Sequence, residues 1–275
     1  MSQVSKIFNA ARRAITDRRL LEEVGAQISR PLIRVFGQPG MQDLHQLGGT
    51  DITLSPEEFV SQLYQGNRLE ELETILEEFD ALHQAITQRI AQSPLGYPSN
   101  FKVGYKSSVA IYALLRLTRP ATIVETGIAN GVSTAIILQA IRANGRGELF
   151  SIDVRNDVGG LLTDDERRNW RPIIINGHPL DREFVKALDA LPPIDFFLHD
   201  SNHTYRWQSL EYENALTHLS PNGLLMSDDI DLSWAFIELV RHGNFSKVAK
   251  LLDSGKVLAG VRKPSPPGNA ASQVN

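Results

Sequence analysis

From about residue 104 onward the chain stops reading as helix alone and alternates short apolar runs with helical stretches. That alternation is the signature of a mainly parallel sheet covered by helices on both faces. The runs expected to be strands are Thr122 to Thr126, Glu148 to Val154, Pro172 to Asn176, Ile194 to Asp200 and Gly223 to Asp229, then Ser246 to Leu252 and Lys256 to Arg262. The last two flank Asp253-Ser254-Gly255, turn chemistry suited to joining adjacent antiparallel strands. The expectation is an α/β domain: a seven-stranded, mainly parallel sheet whose five parallel strands end in a C-terminal antiparallel hairpin.

Ahead of it, residues 1–100 read as an N-terminal helical extension. Ser55-Pro56-Glu57-Glu58 has the N-cap, first-turn proline and third-position glutamate of a capping box, opening a helix with Phe59, Val60, Leu63 and Tyr64 inward. Leu69, Leu72, Ile75, Leu76, Phe79, Leu82, Ile86 and Ile90 then recur at helical spacing until Ser93-Pro94 ends the run. At the start, Val4, Ile7, Phe8, Ala11 and Ile15 form a stripe that packs against the domain or a second subunit, making the extension a lid or a homodimer surface. The alternative for that stripe, beside Arg12, Arg13, Arg18 and Arg19, is an anionic membrane surface. Residues 101–263 form the catalytic domain, and 264–275, rich in Pro, Ser, Gly and Asn, a disordered tail.

Composition narrows the chemistry. With no cysteine, a disulfide framework, a thiolate metal site and a Cys nucleophile are excluded, so any metal is held by oxygen or imidazole. A formal net charge of -4 gives no electrostatic reason to expect nucleic acid, and a small-molecule substrate fits better. No apolar run approaches the roughly 18 to 20 residues that span a bilayer, and the first residues lack the apolar core of a signal peptide, so the expected location is cytoplasmic.

The first functional candidate is Ile123-Val124-Glu125-Thr126-Gly127-Ile128-Ala129-Asn130-Gly131-Val132-Ser133-Thr134, which leaves a buried strand, turns on small residues and enters a helix. Gly127 and Gly131 let the backbone turn tightly and approach a ligand, and Ser133 with the helix amides can receive a carboxylate. The glycines stand four apart with Ala129 between, unlike the dinucleotide fingerprint, which argues against an NAD-dependent oxidoreductase. The next strand ends in Asp153, an acid placed to accept both hydroxyls of a ribose.

The second candidate pairs the carboxyl end of one strand, His199-Asp200-Ser201-Asn202-His203, with Ser227-Asp228-Asp229 at the end of another. Adjacent parallel strands bring such ends together, so Asp200, Asp228 and Asp229 are expected to converge beside the cofactor pocket and offer oxygens to Mg²⁺ or a similar divalent cation. The plainer reading has Asp229 or Asp231 capping the following helix. His199, one place earlier on a buried strand, reads as a core histidine, and Tyr205 and Trp207 as packing aromatics that could also stack on substrate.

From Val103 to Arg262 the chain resembles the class I S-adenosylmethionine-dependent methyltransferases, whose first motif is an acidic residue followed by x-G-x-G/A-x-G and then an acid ending strand two. Glu125, Gly127, Ala129, Gly131 and Asp153 stand in those places. The similarity is greatest to the metal-dependent O-methyltransferases, both the catechol type and the macrocin-like enzymes that act on sugars of natural products. It implies a Rossmann-like fold, S-adenosyl-L-methionine as cofactor, Val103-Gly104 in contact with it, and Gly177 with His178 and Pro179 bordering adenine. It also implies Asp200, Asp228 and Asp229 as metal ligands, with Asp229 where the catechol type has Asn, and His203 as the base taking the acceptor's hydroxyl proton. The expected reaction is methylation of a hydroxyl on a sugar or other natural product. The alternatives are a metal-independent methyltransferase of the same fold, or a nucleotide-binding module without activity.

Overall fold

The computed structural model describes residues 38–45, 47–98 and 102–265. The stripe from Val4 to Ile15 and residues 266–275 of the expected tail lie outside the described residues.

One eight-stranded sheet organises the molecule. Its strands are β1 (Ile52–Thr53), β2 (Thr122–Thr126), β3 (Glu148–Asp153), β4 (Trp170–Ile174), β5 (Ile194–His199), β6 (Leu219–Ser227), β7 (Lys247–Asp253) and β8 (Lys256–Arg262), in the spatial order β1-β7-β8-β6-β5-β2-β3-β4. Strand β8 runs antiparallel to both neighbours, and every other pairing is parallel. The sheet winds outward in one direction from β2 and in the other from β5. The boundary between those strands is therefore a topological switch point, where ligands of such sheets bind beyond the carboxyl ends.

The expected hairpin is present. Ser254 (φ 54°) and Gly255 (φ 88°) are both left-handed, as a two-residue hairpin turn between Asp253 and Lys256 requires. Strand β4 begins two residues earlier than expected, because the Trp170 indole is buried and donates from Nε1 to Ser151 Oγ at 2.9 Å. Pro172 sits inside it at no ladder cost, since β4 is an edge strand.

The seven strands expected become eight through β1, whose two residues pair in parallel with Lys250 and Leu251. Nothing periodic marks so short a strand. It is held by Lys250, whose side chain is buried and donates to the Thr50 carbonyl at 2.6 Å and also to Leu47 O.

Helices α1 (Met41–His45), α2 (Pro56–Leu63), α3 (Leu72–Gln92), α4 (Tyr105–Thr118), α5 (Val132–Asn144), α6 (Asp164–Arg167), α7 (Leu180–Asp189), α8 (Tyr205–His218) and α9 (Ala235–His242) surround the sheet. The predicted start of α2 is real: Ser55 Oγ accepts from the Glu58 amide at 3.1 Å, with Pro56 in the first turn. Its reciprocal half runs through Thr53, whose hydroxyl accepts from the Ser55 amide and donates to Glu58 Oε2 at 2.6 Å. Helix α3 covers the predicted long amphipathic stretch and buries Leu72, Ile75, Phe79 and Ile86.

Successive strand residues point to opposite faces. Ile123, Phe196, Leu198 and Met226 join one core cluster with residues of α2, α3, α4 and α5, while Val124, Phe197 and Leu225 join the other with residues of α7, α8 and α9. The extension thus shares its core with the sheet. Among the described residues no helix is long and apolar enough to cross a membrane.

Candidate active site

The loop after β2 is shaped by close approach. A Cβ on Gly127 (φ 81°) would lie 2.1 Å from the Asp200 carbonyl oxygen, and one on Gly131 (φ 90°) 3.0 Å from the Gly159 Cα. Ala129, between them, is also left-handed at φ 47°. The Gly127 amide donates to Ile152 O at 2.9 Å, tying the loop to β3. Gly127→Ala combines a strained backbone with a backbone clash, and is expected to cost roughly 2 to 3 kcal/mol of stability. Urea unfolding measures it; an unchanged midpoint would mean the loop can move away from Asp200.

Glu125 is fully buried in the middle of β2. Three hydroxyls donate to it: Ser133 to Oε1 at 2.5 Å, and Thr134 and Ser151 to Oε2 at 2.8 Å each. The acid of the loop motif therefore fastens the first turn of α5 and strand β3 to β2. Ser133, expected to receive a cofactor carboxylate, is buried with its hydroxyl directed at Glu125 instead.

Burial pushes the Glu125 carboxyl up to about 7 against the pull of those hydroxyls. A carboxyl that binds its proton more tightly when folded contributes stability that is full below the unfolded value near 4.5 and is lost as pH rises through about 7. Glu125→Gln is expected to flatten that part of the stability profile by on the order of 3 kcal/mol, measured by urea unfolding between acid and neutral pH. An unaltered slope would assign it to other acids.

At the end of β3, Asp153 is half-buried, accepting from the Ile128 amide at 2.8 Å and from the Arg155 amide at 3.0 Å. Val154 follows it with 49% of its surface exposed. Across the loop, the Tyr97 amide donates to Asn130 Oδ1 and Asn130 Nδ2 donates to Tyr97 O, both at 3.1 Å. The Arg155 guanidinium stacks 5.0 Å from the Tyr97 ring. Sequence reading did not pair Tyr97 with Asn130, a contact between distant residues that nothing local signals.

Val103 is buried, and Gly104, the N-cap of α4, lies against the Asp253 carboxylate at the end of β7, which accepts from the Ser107 amide. That contact sets Gly104 beside the end of β7, while Val103 shares a core cluster with Ile128 of the glycine loop. Gly177 and His178 are at the carboxyl end of β4, His178 exposed, with Gly177 against the Glu183 side chain.

Asp200 follows β5 and Asp228-Asp229 follow β6, and the pairing of His199 with Ser227 brings them together as expected. His203 turns into this cluster, its Nε2 3.7 Å from Asp200 Oδ1 and 3.8 Å from Asp229 Oδ2. Asp229 holds the left-handed conformation at φ 51°, which aspartate tolerates better than most residues. Asp231 caps no helix: its Oδ1 accepts from the Val257 amide at 2.9 Å, at the entry of β8.

One residue was not anticipated. Lys256, the first of β8, sets its Nζ 2.8 Å from Asp229 Oδ2. Burial and then the charge of Asp228 raise Asp200 well above the carboxylate range, and burial and then Asp229 push Asp228 up to about 7. Burial, followed by His199, lowers His203 to about 4, so its imidazole is neutral at physiological pH. Among the described residues, no three His, Asp or Glu side chains are disposed to hold a metal ion, so the site as built does not fit the expected divalent cation.

Behind the cluster, His199 is fully buried, with Nδ1 2.5 Å from Glu211 Oε2. Glu211 also accepts from Thr126 Oγ1 at 2.5 Å, Ser201 Oγ at 2.7 Å and Trp207 Nε1 at 2.5 Å. Trp207 thus joins a buried network, and the Tyr205 hydroxyl donates to Glu238.

Residues 124–230 match the family described as methyltransferase domain. No curated protein sequence matches the chain. Among solved structures, the O-methyltransferase TomG from Streptomyces achromogenes, involved in tomaymycin synthesis and solved with SAM, is 15% identical, covering 75% of this chain and 94% of that one at a TM-score of 0.50. An SAH-bound methyltransferase from Podospora anserina is 13% identical, covering 74% and 97% at 0.50, and cofactor-bound Rv0187 from MTB 11% identical, covering 74% and 100% at 0.53. Identity this low speaks to architecture. The fold is the Rossmann-like fold of these methyltransferases.

Proposed function

We propose that this protein is an S-adenosylmethionine-dependent O-methyltransferase acting on a hydroxyl of a small molecule, with His203 as its base. The observation that carries the reading is the seam at the switch point: the glycine loop backs directly onto Asp200, so a ligand in the loop lies beside the His203 cluster. The half-buried Asp153 and exposed Val154 suit the ribose and adenine of the cofactor. That cofactor, when bound, supplies an electrophilic sulfonium methyl.

The chain's own contribution is to hold the acceptor and take its proton. His203 Nε2, neutral and flanked by Asp200 and Asp229, receives the hydroxyl proton, and the resulting imidazolium lies 3.8 Å from Asp229 Oδ2, which balances it. The bond formed is acceptor oxygen to methyl, the bond broken is sulfur to methyl, and its electron pair stays on sulfur. The acceptor we favour is a sugar or other natural product, and the N-terminal helices are proposed as the lid and homodimer surface.

Calorimetric titration with S-adenosylmethionine and with NAD, followed by a screen of hydroxyl acceptors for gain of one methyl mass, tests the reading. Binding of NAD alone would overturn it. The magnesium-assisted version expected from the sequence would draw on the three carboxylates, which are not disposed as a metal site among the described residues. Loss of transfer in EDTA, restored by Mg²⁺, is its test.

A further inference from the structure

We propose that Lys256 is the resident cation of the acceptor site, its ammonium holding the place on Asp229 that a divalent ion would need. The inference deepens the methyl-transfer reading and rests on it. Strand β8 is antiparallel, so it enters the sheet at the carboxyl edge where the parallel strands end, and its first residue is delivered to the acids. The two-residue turn and the hydrogen bond from the Val257 amide to Asp231 Oδ1 fix that entry point.

Asp229 Oδ2 then lies 2.8 Å from the Lys256 Nζ and 3.8 Å from His203 Nε2, between an ammonium and an imidazole. A divalent ion drawing on this oxygen would meet a like charge within a few ångströms, and like charges this close in a partly buried site repel strongly. The lysine itself offsets part of the negative charge of Asp200, Asp228 and Asp229, the role that three gathered carboxylates otherwise assign to a metal.

This has a consequence for the acceptor. A metal chelates two neighbouring oxygens, whereas an ammonium donates separate hydrogen bonds, so a single hydroxyl suffices and a vicinal pair is not required.

The test is Mn²⁺ titration of the full chain followed by electron paramagnetic resonance, without acceptor, on the wild type, Lys256→Met and Lys256→Arg. The wild type and Lys256→Arg are expected to leave Mn²⁺ free up to about 1 mM. Lys256→Met is expected to bind it about tenfold tighter or more, because the like charge is gone, and adding Asp228→Asn to that variant should abolish the gain. Sub-millimolar, EDTA-reversible Mn²⁺ binding by the wild type would overturn the proposal, as would a folded Lys256→Met with no gain. If Lys256→Met does not fold, the wild-type titration decides alone. Titration of the same wild-type protein with S-adenosylhomocysteine separates the two ideas: failure to bind it sinks the methyl-transfer reading and leaves the Mn²⁺ result interpretable.

Discussion

Glu211→Ala is expected to cost about 3 to 5 kcal/mol of stability, enough to unfold a marginal domain. The carboxylate is fully buried and takes hydrogen bonds from four groups: Thr126 at the end of β2, His199 and Ser201 around the end of β5, and Trp207 in α8. Alanine leaves those polar atoms in a dry interior with no partner, and each unmet group costs about 1 to 3 kcal/mol. A cavity adds to the loss. Despite burial, the charge of His199 and the surrounding donors hold Glu211 below the usual carboxylate range. Its contribution is therefore present above the unfolded value and lost as pH falls through the depressed one. Urea unfolding at neutral and acid pH measures both effects. A loss under about 1 kcal/mol would show that the surrounding groups find other partners.

The second large effect is catalytic. With an acceptor identified, His203→Ala is expected to lower kcat about 100- to 10,000-fold, the range for loss of a positioned general base. Cofactor affinity should stay within a few-fold, since the neighbours of His203 are the acids and the His199 ring. His203→Gln separates base from shape: it keeps polarity and bulk but accepts no proton at neutral pH, so it should be as slow as alanine. A variant retaining most of kcat would remove His203 from proton transfer and leave proximity as the source of rate.

The strands and the two loops that build the site were legible in the sequence for one reason: parallel strands are buried on both faces, so they stand out as short apolar runs, and polar residues at their carboxyl ends stand out against them. Asp200, Asp228, Asp229 and His203 were found that way, and the structure gathers them. What stayed hidden depended on contacts made across the chain. Ser133 looked free to meet a ligand because nothing local reveals that Glu125, eight residues earlier, claims its hydroxyl. Strand β1 is two residues long, too short for any period.

Lys256 was read as part of a turn-flanked strand, although the expected hairpin already contained the clue. If the final strand is antiparallel, its beginning lies where the others end, and the residue after the turn belongs with the acids. The same topology would have identified Asp231 as a partner of β8 rather than a helix cap.

The short strand β1 has a consequence for what this protein can tolerate. Among the described residues, the sheet carries beyond β7 only these two residues, held down by the buried Lys250. A fragment cut after residue 100, where the extension was expected to part from the catalytic domain, would bare the β7 margin together with the apolar seat of α2. Unpaired strand edges of that kind recruit strands from other chains. Such a fragment is therefore expected to aggregate where the full chain does not, and light scattering of the two at equal concentration measures it.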